Sequence, residues 1–584
     1  MQPHHRTDIS NVLVIGSGGA GLRAAIAAHD AGCEVTIVGK RLRKDAHTVL
    51  ASGGINAALA TRDEEDHWGW HVMDTWNEGY FVADAEKVGI LAREAPDRVR
   101  ELAEWGMPFA RTEDGDIDTR YFGAHRYRRT AYAGDWTGRA IVETLHDQVA
   151  ARGIPIREQR YVSRLLVHDG VCFGAYTFDL DTGERTVELA DSVILAAGGH
   201  TRLWRRSSSR RDENNGDGMS LALHAGCELQ DLELVQYHPT GMTHPEEHAG
   251  QLVTEAVRGE GGRLFNSEGE RFMERYDPER MELSTRDRVA MANYTEIHEG
   301  RGGPNGGVFL DISHLGKDAI REKLPRMHRQ FVEIQMIDIG EEPIEVAPTA
   351  HYSMGGVHVD ARTAATGVEG LYAVGEIAAG LHGANRLGGN SLAETVVFGK
   401  RAGEAAAERS RSLDVQLRNR AVITAAAEEL DAAIRDGETV VRQVQRGLRD
   451  AMWNHVGVVR DEDGLNAALE RLDELAQEAE TVDVRPDAQG YGDLAIALDL
   501  RGSIEAARAT TLLARERRES RGAHARTDHP DRDDDHHLVN YTVRLGQDGE
   551  LIVGSRPRKP IPEDLEEWAK EADEELEAGD KLIE

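Results

Sequence analysis

Gly16-Ser17-Gly18-Gly19-Ala20-Gly21 is the stretch that decides the fold. An apolar run, Asn11 to Ile15, leads into it, and an alanine-rich run, Ala20 to Ala31, follows, after which Glu34 to Val38 is apolar again. Runs of this length and composition predict strand, helix, strand. In that place the glycines have a mechanical purpose. Gly16 permits the tight turn, Gly18 lets backbone approach a pyrophosphate, and Gly21 lets the helix pack on the strand, so that the helix N-terminus faces the phosphates. The acid that closes the second strand of NAD-binding units is replaced by Lys40, which argues against NAD held through its ribose hydroxyls.

Outward from this unit, two more segments complete a split nucleotide domain. Asp191 to Gly199 reads as a buried strand ending in Gly198-Gly199, and Gly370 to Glu376 as another strand, whose Glu376 carboxylate can accept from ribityl hydroxyls. The expected fold class is α/β: a split Rossmann-like FAD-binding domain with an inserted α+β capping domain, then a helical domain and a short C-terminal domain. The boundaries are 1–240 with 349–410 for FAD, 241–348 for the cap, 411–518 for the helices and 519–584 for the C-terminal domain and acidic tail. Leu413 to Val482 is dense in Ala, Glu, Leu and Arg at helical spacing. Leu538–Arg544 and Leu551–Val553 read as a strand pair. In the tail, Leu565, Trp568, Ala572 and Leu576 fall on one helical face, expected to be a solvated amphipathic helix, with docking to a partner as the alternative.

The 584 residues exceed one compact core, so roughly two to four domains are expected. No apolar run approaches the ~18 residues that span a bilayer, and the N-terminus shows no apolar leader. The formal net charge of −34 repels nucleic acid and anionic headgroups. Arginine far outnumbers lysine; an acidic surface with little lysine suggests a protein that stays soluble at high salt, where self-repulsion is screened, with a GC-rich genome and an acidic proteome as the alternative. Cys33, Cys172 and Cys227 are scattered, as in a reducing cytoplasm. They are fewer than the about four thiolates an iron–sulfur cluster takes. No histidine spacing forms a metal-ligand set.

Several segments supply polar and charged groups in excess of structural need: Gln236-Tyr237-His238-Pro239-Thr240-Gly241; Leu252 to Gly262; Ser284-Thr285-Arg286-Asp287-Arg288; His351 to Gly356; and His382-Gly383-Ala384-Asn385-Arg386-Leu387-Gly388-Gly389-Asn390-Ser391-Leu392. These resemble the active-site motifs of the succinate dehydrogenase/fumarate reductase flavoprotein subunit, and Arg521 to Asp528 is similar to that family's C-terminal signature. His47, in Asp45-Ala46-His47-Thr48-Val49 just before Gly53-Gly54, resembles the histidine that the family bonds covalently to FAD. The resemblance runs from about residue 10 to about residue 545. The chain departs from the family's pattern at Ala46, where Ser is usual, and at Ser52, where Gln or Glu is usual. It departs again from Ser207 to Asn215, where a Thr/Asn-rich run is usual. These departures bear on flavin attachment and on the bias between oxidation and reduction.

What the resemblance implies is specific. His238 and Thr254 would hold one carboxylate of a four-carbon diacid, and His351 and Arg386 the other. Such an anion needs bidentate and single donors at both ends. Arg286 would exchange the proton, with Glu255 and Arg258 relaying it. Gly16, Ser17, Gly18, Gly19, Ala20, Gly21, Lys40, His47, Thr48, Gly53, Gly54, Asp217, Glu376, Asn390, Ser391 and Leu392 would contact FAD. Asn390-Ser391-Leu392 opens a helix, Ala393 to Arg409, whose N-terminal dipole would face the flavin edge that becomes negative on reduction. Succinate and fumarate are the expected ligands. An iron–sulfur subunit with membrane anchors beyond it would be the partner, placing the chain in the cytoplasm on the inner face of the membrane. L-Aspartate oxidase, a soluble relative, and a flavin-binding scaffold without turnover are the competing expectations.

Overall fold

In the first strand Val12 to Ile15 are buried while Arg6 to Ile9 lie towards the surface, and the small, apolar side chains of the helix after it are interior. The computed structural model describes residues 5–42, 45–486 and 490–571. The first strand, Arg6–Ile15, starts earlier than its apolar core predicts; the helix Gly19–Asp30 and strand Val35–Val38 follow. Val12 to Ile15 pair in parallel with Val35 to Val38 on one side and with Ser192 to Leu195 on the other. Leu371–Ala373 then joins the far side of Arg185–Leu195. The three nucleotide segments read from the sequence therefore lie side by side in one sheet. Antiparallel strands Val171–Asp179 and Arg160–His168 extend its edge.

Close backbone approach explains the glycines. Gly16 has φ +117°, and a Cβ there would lie 2.1 Å from the Ala196 carbonyl oxygen. The helix Asn390–Ser412 packs across Gly19–Asp30, with Gly399 and Gly403 against it. Added Cβ atoms would fall 2.8 Å from the Ala20 oxygen and 2.3 Å from the Ala24 oxygen. Each helical glycine costs about 1 kcal/mol in propensity, a cost offset by backbone-to-backbone packing. This helix begins at Asn390, three residues ahead of the expected start, because Gly389 (φ +88°) turns the chain in just before it.

The chain enters and leaves the inserted lobe on paired strands. Val235–Met242 and Ile344–Ser353 are antiparallel neighbours, continued by Val308–Asp311 and Arg263–Phe265. His238 stands opposite Thr349 and Tyr237 opposite Ala350, which brings His238 and His351, distant in sequence, to one place. Helices Arg420–Ala433, Val441–His455, Glu462–Ala479 and Gly492–Glu516 share a core that includes Leu448, Leu465, Leu472 and Leu475.

The C-terminal strands are Val539–Leu545 and Leu551–Pro557. They extend a sheet with Leu229–Gln230 and Gly356–Val357. The tail expectation needs correction: as far as it is described, it is docked. Leu565 and Ala569 are buried, and Trp568 meets Trp70 edge-on with ring centroids 5.2 Å apart. Gly69 leaves room for it, since a Cβ there would lie 2.3 Å from the Trp568 ring. Ala572 and Leu576 lie outside the described residues. Among the described residues no helix is long and apolar enough to cross a membrane.

Candidate active site

The glycine turn, the start of the Asn390–Ser412 helix and the cap strands bound one continuous cavity. Gly16, Ser17, Gly18, Gly19, Ala20, Lys40, His47, Thr48, Gly53, Gly54, Asp217, Glu376, Ser391 and Leu392 line it, and so do His238, Thr254, Glu255, Arg286, His351 and Arg386. Three expected residues do not. Gly21 lies behind the turn, where a Cβ would meet the Gly16 oxygen at 2.0 Å. Asn390 is buried beneath the helix start, accepting from Asn56 Nδ2 at 2.7 Å and donating to Thr75 Oγ1 at 2.9 Å. Arg258 is buried behind Glu255, with 3.7 Å between Nη2 and Oε2.

At the nucleotide end, Thr48 Oγ1 accepts from the Gly19 N–H at 3.2 Å, tying the His47 loop to the helix N-terminus. Lys40 reaches Asp217 at 3.2 Å and Asp499, from the last long helix, at 2.7 Å. Glu376 Oε1 accepts from the Ser353 N–H at 3.1 Å, and burial pushes its carboxyl above the usual range. A turn in which a Cβ at Gly16 would overlap backbone, the N-terminus of the helix behind it and the Glu376 carboxylate further along the same cavity form a cradle that fits FAD.

At the closed end, one buried glutamine organises two arginines. Gln236 Oε1 accepts from Arg286 Nη1 at 3.1 Å and from Arg386 Nη2 at 3.0 Å. Its Nε2 donates to Asn385 Oδ1 and to the Arg386 carbonyl, both at 2.8 Å. Arg386 also donates to Ser391 Oγ at 2.9 Å and stacks 4.2 Å from the Tyr352 ring centroid. Its Nε is buried and donates no hydrogen bond. Arg286 opens the helix Arg286–Glu296, and its Nε lies 2.9 Å from Glu255 Oε2. Gly388 gives Arg286 its space: a Cβ there would fall 2.4 Å from Phe122 and 3.1 Å from Arg286 Nη2.

The electrostatics follow from this packing. Burial raises the Glu255 carboxyl, but Arg286 and Arg258 outweigh it and hold it at about 2. Burial, with Arg286 and Arg258 next, pushes the His238 imidazole well below its ordinary value. Burial, then His238 and Arg386, does the same to His351. Burial and Arg286 lower Arg386 to about 10. His238 Nδ1 accepts from the Thr240 N–H at 3.2 Å, so the neutral ring carries its proton on Nε2. His351 Nδ1 lies 2.9 Å from Ser208 Oγ, and the two imidazoles sit edge to face at 5.2 Å. The result is a pocket of guanidinium, imidazole and hydroxyl donors with one carboxylate poised between two arginines.

Sequence reasoning assigned no function to Gln236, Tyr352, Ser208, Phe122 or Glu213. Gln236 and Tyr352 stood inside quoted motifs. Their roles depend on pairing across the fold, which no local spacing reveals.

A dinucleotide cradle joined to an anion pocket, with a helix N-terminus between them, defines a FAD-dependent oxidoreductase. The chain matches the FAD binding domain family over residues 11–392 and the fumarate reductase flavoprotein C-terminal family over residues 445–559. It is 46% identical over 523 residues to a fumarate reductase (CoM/CoB) subunit from Methanothermobacter marburgensis, covering 89% of this chain and 94% of that one. The succinate dehydrogenase flavoprotein subunit of Rickettsia conorii is 35% identical over 580 residues, covering 95% of each chain. The structure resembles Mycobacterium smegmatis Sdh1 in complex with UQ1, with TM-score 0.88, 37% identity and 96% of both chains covered. This chain belongs to the succinate dehydrogenase/fumarate reductase flavoprotein family.

Proposed function

We propose that this chain interconverts succinate and fumarate and carries FAD tethered to His47. The observation that carries the reading is the convergence of His238, Thr254, His351 and Arg386 around Arg286 and Glu255. In a protein of net charge −34, cations gathered at one buried point select an anion. Donors at both ends fit a dianion better than a monoanion.

When bound, FAD supplies the two-electron acceptor for hydride from one methylene carbon, and the two-electron donor in reverse. His238 Nε2–H and the Thr254 hydroxyl hold one carboxylate; His351 and the Arg386 guanidinium hold the other. Fixing both ends restricts the diacid to a reactive orientation. Arg286 exchanges the proton at the neighbouring carbon. A guanidinium is a poor base alone, but Glu255 is already ionised 2.9 Å away and takes the proton onward. Arg258, on the far side of Glu255, continues the relay.

Electrons pass to an iron–sulfur subunit, because three cysteines fall short of the about four thiolates of a cluster. Membrane anchors lie beyond that partner, on the inner face of the cell membrane, and the chain takes part in the tricarboxylic acid cycle or in electron transport to fumarate. The names of relatives carry different small molecules, CoM/CoB and UQ1, so the terminal carrier is left to the partner subunits. Residues 1–240 with 349–410 form the FAD-binding domain, 241–348 the capping domain, 411–518 the helical domain and 519–584 the C-terminal domain and acidic tail. The acidic, lysine-poor composition is read as adaptation to high salt. Succinate-dependent reduction of an artificial dye by purified protein tests the function: activity lost in Arg286→Ala supports it, and undiminished activity contradicts it. Copurification of an iron–sulfur protein tests the partner.

A further inference from the structure

The departures from the family's pattern cluster around one residue. Ala46 precedes His47, Ser52 closes the same loop, and the 207–215 segment folds against it. That segment supplies Glu213, whose Oε1 lies 2.9 Å from His47 Nδ1. Glu213 is 8% exposed; its Oε1 also accepts from the Arg210 N–H at 2.7 Å, while its buried Oε2 accepts no hydrogen bond. Arg210 in turn donates to the Asp45 carbonyl, so the segment grips the histidine loop at two points. The His47 side chain is 27% exposed and lines the FAD cavity. With Nδ1 engaged by Glu213, Nε2 is the nitrogen left for bonding.

We propose that Glu213 and His47 form a carboxylate–imidazole pair that orients the ring, fixes its proton on Nδ1 and activates Nε2 for attachment to the flavin. The inference rests on the reading of His47 as the attachment point. Joining Nε2 to the methyl carbon on the dimethylbenzene edge of the flavin forms one N–C bond. One methyl C–H and the imidazole N–H are lost, and both protons and two electrons end on the ring system, leaving it reduced. Fumarate, the family's own oxidant, returns it to the oxidised state. Positive charge builds on the imidazole as the bond forms, and the buried Glu213 carboxylate is placed to counter it, as a carboxylate does for the histidine of a hydrolytic triad. Oε2 makes no hydrogen bond, and its ion-pair partner Arg210 Nη1 lies 3.9 Å away. The charged groups facing His47 are Glu213, Glu376 and Arg210. Burial lowers the imidazole, but Glu213 outweighs it and raises the ring above its ordinary value. Neutral imidazole, the attacking form, therefore accumulates at higher pH than usual.

The test is reconstitution of flavin-free full-length protein with FAD and fumarate between about pH 6 and 9, spanning an imidazole's ordinary value. The readout is the fraction of chain carrying the added mass of FAD after denaturation. In the parent the rate rises with pH to a plateau, with a midpoint above that of an ordinary imidazole. Glu213→Gln lowers the plateau by about 10- to 100-fold, as expected for loss of acid–base assistance, and moves the midpoint to lower pH. Glu213→Asp, which keeps the charge, restores part of the rate. A Glu213→Gln plateau and midpoint equal to the parent's would overturn the proposal, as would equal impairment of the Gln and Asp variants. Flavin lost from the denatured parent itself would overturn the His47 reading along with it, whereas His47→Ser must carry none.

Discussion

Replacing Gln236 with methionine tests what holds the two substrate-facing arginines. The side chain is fully buried, and methionine fills similar volume while removing the shared acceptor together with the Nε2 donor to Asn385 Oδ1 and the Arg386 carbonyl. Two hydrogen bonds to charged donors disappear, at 3.1 Å to Arg286 and 3.0 Å to Arg386. Each is worth about 1.5–3 kcal/mol. Arg286 keeps Glu255 and Arg386 keeps Ser391, so the lower figure applies to each, giving about 3 kcal/mol together. At 1.36 kcal/mol per decade this is about 100-fold in kcat/KM. Because Arg386 is read as a binding group and Arg286 as a proton-transfer group, the loss should divide into about a tenfold rise in KM and about a tenfold fall in kcat. Steady-state succinate oxidation with an artificial dye measures both, on protein shown by thermal unfolding and flavin absorbance to be folded and loaded. A folded, loaded variant within about threefold of the parent kcat/KM would show that the glutamine does not organise the site.

Glu255→Gln should lower kcat by about 100-fold or more with little change in KM, since it removes the proton's next acceptor while sparing the carboxylate-binding donors; a rise in KM alone would contradict the relay. Gly388→Ala places a methyl group against Phe122 and Arg286 at a backbone geometry open to alanine, so it should reduce succinate turnover while leaving the melting temperature near the parent's. Gly403→Ala drives the long helix off the Ala24 carbonyl and should destabilise the fold by about 1–3 kcal/mol, read by denaturant unfolding. His238 and His351 have folded values depressed well below ordinary imidazole, so the unfolded chain binds more protons below about pH 6.5. The ligand-free protein should therefore lose stability as pH falls through that value towards the folded ones. A bound diacid favours protonation and should reverse part of the loss. Thermal unfolding against pH, with and without fumarate, would refute this if the two curves stayed parallel.

The elements that could be read in advance are those specified locally. The Gly16–Gly21 turn, the flanking strands and the alanine-rich helix are set by neighbours in sequence; the helix and second strand formed close to their expected bounds, while the first strand begins at Arg6 rather than Asn11. Gly399 and Gly403 sit four apart on one helix, yet their role depends on which helix crosses them, and that partner is far away in the chain. The C-terminal hairpin was legible as two strands, but its attachment to Leu229–Gln230 depends on edge groups offered by a remote segment. Leu565 and Trp568 were visible as an apolar face; the glycines that make room for them, Gly89 and Gly69, were not. The same holds at the site. The motif residues announced themselves as a set, whereas Gln236 linking two arginines, Asp499 reaching Lys40 and Glu213 reaching His47 come from tertiary register alone. Asn390 shows the converse, a motif residue that supports the helix start without lining the cavity.

The central claim is that this cluster of arginine and imidazole side chains turns over a four-carbon diacid against FAD. Anaerobic mixing of the oxidised, FAD-loaded protein with succinate tests it without any partner subunit. The account predicts bleaching of the flavin absorbance by the parent protein and loss of that bleaching in folded, loaded Arg286→Ala. Bleaching at the parent rate in that variant, or no bleaching of the loaded parent by succinate together with no reoxidation of its reduced form by fumarate, would contradict it.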